Sequence, residues 1–134
     1  MIAAMGALDP AIRDLARAAN FAAFTTHLAS GHAMTHVMWV DADDDHVLIN
    51  TEVHRAKFKA VERDPRVTVT VWVKDDPYSY AEVRGRVVET VHGPKARAHI
   101  DALARKYLGR DYDPANIQSE RVILRIAPDV QRVH

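Results

Sequence analysis

From Leu8 onward, apolar residues recur every three to four positions, at Leu8, Ile12, Leu15 and Ala19. That spacing predicts a helix over residues 8–19, with Asp9 placed to cap it and Pro10 suited to its first position. The character then changes. Phe24, Thr25 and Thr26 favour a strand over 21–28, which the pair Ser30-Gly31 ends. A second apolar run, 34–40, is closed by the acidic loop 41–45. A third strand resumes over 46–51, so residues 21–51 read as an antiparallel meander.

Residues 55–63 form a short helix in which Phe58 and Val61 face inward and Arg55, Lys59 and Arg63 face out, until Asp64-Pro65 stops it. Val67 to Val73 alternates β-branched residues with Thr and Trp, a strong strand signal, and 74–77 is a turn. Residues 78–91 make a long strand, with Gly85 marking a bulge or bend. Ala96, Ile100, Leu103, Ala104 and Tyr107 predict a helix over 94–108, with Gly109 at its C-cap. After a polar loop at 111–119, residues 121–133 close the chain as a strand. Six antiparallel strands with two or three flanking helices fit a small barrel of the mainly β or α+β kind.

Composition narrows the class. The chain has 134 residues, enough for one domain, and its 48% hydrophobic and 27% charged residues exclude a disordered or fibrous protein. Eighteen Lys and Arg balance eighteen Asp and Glu, which argues against nucleic acid as a partner. Cysteine is absent, so disulfides, thiolate metal sites and Cys nucleophiles are excluded and a reducing cytoplasm is the expected compartment. The apolar start of the chain lacks the charged region of a signal peptide, and no apolar run approaches the ~20 residues of a membrane span.

Several segments, in order, resemble one family. They are Phe21-Ala-Ala-Phe-Thr-Thr-His-Leu28, a Gly turn, Thr35-His36-Val37-Met38-Trp39-Val40, Leu48-Ile49-Asn50-Thr51, Arg55-Ala56-Lys57, Arg63-Asp64-Pro65-Arg66-Val67, Glu82-Val83-Arg84-Gly85 and the closing Arg121-Val122-Ile123-Leu124. Their order and spacing resemble the split-barrel flavin and deazaflavin oxidoreductases related to pyridoxamine 5′-phosphate oxidase. Within these, the resemblance is strongest to the actinobacterial branch that uses the deazaflavin coenzyme F420. It implies a six-stranded split barrel that forms a homodimer, with cofactor sites along the subunit interface.

Three constellations carry the chemistry that this resemblance implies. In the first, Arg55, Lys57, Lys59, Arg63 and Arg66 oppose only Glu62 and Asp64, and a helix N-terminus after a strand adds unpaired amides for an anion. The family position matching Lys57 binds the cofactor phosphate, with those matching Asn50, Thr51 and Arg55 beside it; read from charge alone, the segment is equally a solvated helix face. FMN oxidases of the family carry basic residues where this chain has Thr35 and Ala56. Their loss disfavours FMN, the alternative cofactor, and Lys59 is placed to reach a longer anionic tail.

In the second, the family lays strand 35–39 along the edge of the cofactor ring, so Thr35, His36, Val37, Met38 and Trp39 are expected there. Alternation puts Thr35, Val37 and Trp39 on one face and His36, Met38 and Val40 on the other, one of which must be core, with Trp39 expected as buried wall. In the third, Trp72, Pro77, Tyr78 and Tyr80 fall where the family brings residues of the partner subunit to the cofactor. Tyr78 or Tyr80 is then a phenol able to donate to a substrate carbonyl, or else part of aromatic dimer packing.

Eight histidines do not make a metal site: His32 and His36 lie four apart on a strand, where that spacing spans about 13 Å, and the others are scattered. No Gly-rich phosphate loop or Gly-x-Ser-x-Gly elbow is present. The expectation is therefore a dimeric coenzyme F420-dependent reductase acting on an electron-poor organic substrate, the cofactor carrying the hard chemistry. The alternatives are an FMN oxidase or reductase of the same fold and a non-catalytic flavin, deazaflavin or haem-binding protein.

Overall fold

A computed structural model describes residues 7–134, so the apolar start of the chain lies outside the described residues. The elements run α1 (Pro10–Arg17), β1 (Phe21–His27), β2 (Ala33–Trp39), β3 (Asp41–Ala42), β4 (Val47–Glu52), α2 (Ala56–Arg63), β5 (Arg66–Val73), β6 (Asp76–His92), α3 (Pro94–Leu108), a 3-10 turn at Pro114–Asn116, and β7 (Arg121–Val133). The expected helices and long strands all form. Asp9 caps α1 by accepting from the Ala11 amide, and Gly109 ends α3 in the left-handed region at φ 76°.

The strands make one antiparallel sheet in the order β2-β1-β5-β6-β7-β4-β3. Two expectations are corrected here. The acidic loop holds the two-residue strand β3, a seventh strand, because Asp41 and Ala42 pair with Leu48 and Val47. The meander over 21–51 does not exist: β1 pairs with β2, but β4 pairs with β7 at the other end of the sheet. A strand next in sequence is the usual neighbour, but β4 gains more by pairing on both sides than by lengthening an edge. The sheet curls until β2 touches β4 across its open side, giving the split barrel.

Alternation decides what lies inside. Phe24, Ile49, Val69, Val71, Val83, Val122, Leu124 and Ile126 are all buried on the concave face, with Leu8 and Ile12 from the α1 segment and Phe58 and Val61 of α2 packed against them. Each such side chain contributes about 1.5–3 kcal/mol through burial. Gly85 lies at a register shift between β6 and β7, where an added Cβ would run into the Ala127 carbonyl, so the expected bend is explained by backbone approach.

On the convex face a second cluster, Leu48 and Ile123 with Ala96, seats α3 over β4 and β7. All six residues of β4 are therefore buried. The last turn of α3 is pinned by polar bonds: Lys106 Nζ donates to the carbonyls of Val40 (2.6 Å) and Ala16 (3.2 Å). Tyr107 donates its hydroxyl proton to the Asn20 carbonyl and accepts from the Val40 amide. Burial, with the nearby Asp41 carboxylate, pushes that phenol up to about 12 despite its bond at Val40, so it stays a neutral donor. These bonds hold α3 against the end of β2, and the gap between them is the main cavity.

Candidate functional site

The cavity has a volume of about 470 Å³. Val37, Met38 and Trp39 of β2 wall one side, Ile100, Leu103 and Leu108 of α3 another, and Asn50, Tyr112, Asn116 and Arg121 supply its polar groups. Trp39 lies parallel to Tyr107 with ring centroids 5.0 Å apart, and Tyr112 meets its edge at 6.2 Å. The result is an apolar cavity with the Trp39 ring, backed by Tyr107, in its wall and a few convergent polar atoms.

A chain of polar contacts runs beneath it. Asn50 Nδ2 donates to the Ala96 carbonyl (3.0 Å), and its Oδ1 accepts from Arg121 Nε (2.9 Å). Glu52, 1% exposed, accepts from the amides of Gln118 (2.7 Å) and Ser119 (2.8 Å) and lies 3.5 Å from Arg121 Nη1. Burial pushes the Glu52 carboxyl up, but those two amides and the charge of Arg121 outweigh it and hold the group below the usual carboxylate range. Arg121 also lies over the Tyr112 ring, its guanidinium carbon 5.4 Å from the centroid.

Beside this lies the N-terminus of α2. Its cap residue, Arg55, makes no side-chain cap bond, and no acidic residue stands in the first turn. Among the described residues, the backbone N–H groups of Ala56 and Lys57 find no acceptor. Lys57 is 9% exposed and has neither an acidic neighbour within ion-pair distance nor a hydrogen bond among the described residues. Burial first, then the charges of Arg55 and Arg121, pull its ammonium below the ordinary lysine value. Burial and the charges of Lys57 and Arg55 likewise lower His36. The chain thus gathers positive charge at a half-sheltered helix end: Arg55 has Glu52 at 4.0 Å, while Lys57 has no counter-ion among the described residues, the arrangement of an anion site.

The family model for pyridoxamine 5′-phosphate oxidase matches residues 8–134. The chain belongs to that family. Among solved structures, one named F420 Reductase superposes with a TM-score of 0.79 at 24% identity, covering 93% of this chain and 98% of that one. A conserved hypothetical protein from Mycobacterium tuberculosis gives 0.70 at 22% identity over 98% and 88% of the two chains. General Stress Protein 26 from Bacillus anthracis gives 0.66 at 20% over 90% and 88%. No curated protein matches the chain. The structural likenesses show the split-barrel fold, and the family is one of oxidoreductases.

Within this family scaffold the residues singled out from sequence separate into groups. Val37, Met38, Trp39 and Asn50 line the cavity. Thr51 is buried behind it at 3% exposure, and Arg55, Lys57 and His36 share the cationic edge. Thr35 Oγ1 is 2.8 Å from Thr25 Oγ1 on the neighbouring strand. Lys59 faces away from Lys57, lining a smaller cavity of about 300 Å³ with Leu28, Ala56 and Arg63.

Strand β2 keeps only part of the expected core face: Val40 just after it is buried and Met38 packs against the core, but Thr35, His36 and Val37 are exposed, Val37 at 68%, because no layer of this chain covers them. Trp39 is half-buried and faces the cavity. Trp72, Pro77, Tyr78 and Tyr80 do not line the cavity of their own chain; Tyr78 is 89% exposed and Tyr80 stacks on His134 at 4.5 Å. Among the described residues no three His, Asp or Glu side chains gather as a metal site would, and no helix is long and apolar enough to cross a membrane.

Arg121, Glu52, His99, Tyr112 and the inner face of α3 were not foreseen as parts of the site. The available signal was an arginine directly before the apolar run Val122-Ile123-Leu124, a position that burial tolerates only with a partner.

Proposed function

We propose that the protein is a coenzyme F420-dependent reductase that delivers a hydride to an electron-poor organic substrate such as a conjugated carbonyl. The observation that carries this reading is Lys57: a largely buried side chain whose ammonium has no counter-ion or hydrogen bond among the described residues, at an uncapped helix N-terminus, beside the cavity walled by Trp39. When bound, the reduced deazaflavin supplies the hydride. Lys57, Arg55 and the free amides of Ala56 and Lys57 would hold its phosphate. The 35–39 strand, Trp39 and Asn50 would orient the ring, and the α3 wall excludes water from one side of it.

Support for the deazaflavin over FMN comes from Thr35 and Ala56, neither of which is basic. The Thr35 hydroxyl faces Thr25, so it offers no cation in place of the one FMN oxidases carry there. Lys59 lines the smaller cavity on the far side of α2, so it would meet the anionic tail that the deazaflavin has and FMN lacks where that tail passes the start of the helix. The exposed face of β2 and the exposed Tyr78 are consistent with a homodimer in which Trp72, Pro77 and Tyr78 of a second copy complete the cleft. Tyr78 or Tyr80 would then border the substrate, within a cytoplasmic enzyme.

Fluorescence titration with coenzyme F420 and with FMN tests the reading. Micromolar binding of the deazaflavin, absence of FMN binding, and markedly weaker deazaflavin binding in Lys57→Ala are the expected results. Tight binding of FMN alone would overturn it, and binding of neither would favour a non-catalytic role for a different ligand.

A further inference from the structure

The direction of each hydrogen bond beneath the cavity can be assigned from its partners. Ala96 offers a carbonyl, which only accepts, so the Asn50 atom 3.0 Å away must be the amide nitrogen. Arg121 Nε–H only donates, so the Asn50 atom facing it must be the carbonyl oxygen. Both constraints agree on which Asn50 atom is the nitrogen and which the oxygen. The same Nδ2 lies 3.0 Å from His99 Nδ1, which must therefore accept and carry no proton. The remaining proton of a neutral imidazole is then on Nε2, which donates to Asp41 Oδ2 at 2.9 Å. Burial raises the Asp41 carboxyl, but the bonds from His99 and the Ala42 amide and the charge of Lys106 hold it low, so it remains an acceptor. A proton on both His99 nitrogens would set N–H against N–H at Asn50.

The consequence reaches Arg121. With Nε engaged by Asn50 and Nη1 beside Glu52, its Nη2 has no hydrogen-bond partner among the described residues, while the side chain lines the cavity. We propose that Arg121 Nη2 donates to an electron-rich oxygen on the edge of the planar ligand in this cavity, and that His99, as its Nε2–H tautomer, is the positioning residue that aims it through Asn50. The ligand assignment rests on the proposed cofactor reading; the positioning relation stands on the side chains alone. His99 sits on α3, outside the cofactor-facing strands, and reaches the ligand only through Asn50 and Arg121.

Two measurements test this. The first uses the ligand-free wild-type protein: nitrogen-detected NMR of the histidine rings should show His99 with Nε2 protonated and Nδ1 bare. A proton on Nδ1 would overturn the proposal. The second compares His99→Leu with His99→Gln, whose amide offers an acceptor and a donor on one side chain. In His99→Leu the Arg121 Nε–H should lose its protection from solvent exchange, and coenzyme F420 affinity should fall about tenfold with unchanged circular dichroism. His99→Gln should recover part of both. An Arg121 Nε–H equally protected in His99→Leu and wild type would overturn the positioning role. The exchange readout needs no cofactor, so a wild-type protein that binds no deazaflavin defeats the functional reading without deciding this one.

Discussion

Lys57 and Arg121 are each 9% exposed, and both stand at the edge of the same cavity, yet the fold treats them in opposite ways. Arg121 is embedded: Asn50 accepts from its Nε, Glu52 balances its charge, and Tyr112 lies against its plane. Lys57 has none of these, and its closest charges, Arg55 and Arg121, repel it. A buried cation with partners is neutral or mildly helpful to folding, whereas one without them costs free energy. The contrast separates scaffold from site: Arg121 is secured before any ligand arrives, and Lys57 is a liability that an incoming anion would relieve.

Removing each cation should therefore move stability in opposite directions. The largest effect is expected for Arg121→Met, which leaves the buried Glu52 carboxylate with only its two amide donors and Arg55 at 4.0 Å, and should cost about 3 kcal/mol in urea unfolding. A loss below about 1 kcal/mol would show that Glu52 finds other partners. Lys57→Ala should weaken anion binding by about thirtyfold, the equivalent of one charge-assisted hydrogen bond, when the deazaflavin is titrated.

A smaller shift of the other sign is expected for Lys57→Met: the unliganded protein should gain about 1 kcal/mol, seen as a higher Tm in calorimetry. A variant less stable than wild type would mean that Lys57 has a structural partner, and the contrast would collapse.

On the Arg121 side, acid should act through Glu52. The folded Glu52 carboxyl lies below its ordinary value of 4.5, so its contribution is complete above that pH and is lost as pH falls toward the folded value. Between about pH 6 and pH 3 the wild-type protein should lose stability more steeply than Glu52→Gln. Finally, in Lys57→Met the His36 imidazole should titrate at higher pH than in wild type, because one of the charges that lowers it is gone. Proton NMR of the His36 ring checks this.

Much of the barrel was legible along the chain. The 3.6-residue spacing of α1 and α3, the Asp9 cap, Gly109 and the alternation of β5 each express a local physical rule that tertiary context did not override. The strand order was not legible. Pairing of β4 with β7 joins residues such as Asn50 and Ile123, far apart in sequence, and local periodicity carries no information about which distant edge a strand will meet. The acidic loop was read by charge, and its two-residue strand depends wholly on β4 lying beside it.

The site divides in the same way. Sequence alone marked Arg55 and Lys57, because a basic helix start after a strand has local chemistry of its own, and the family resemblance added Asn50. It also marked strand 35–39 through its resemblance to a family in which that strand meets a ring. Only the tertiary structure decided which of the cations is free, since that depends on whether a carboxylate from another element reaches it. Glu52 comes within 3.5 Å of Arg121, which lies on a different strand, while no acidic residue reaches Lys57 among the described residues. Charge is a property of a residue, but neutralisation is a property of a neighbourhood, and neighbourhoods are made by folding.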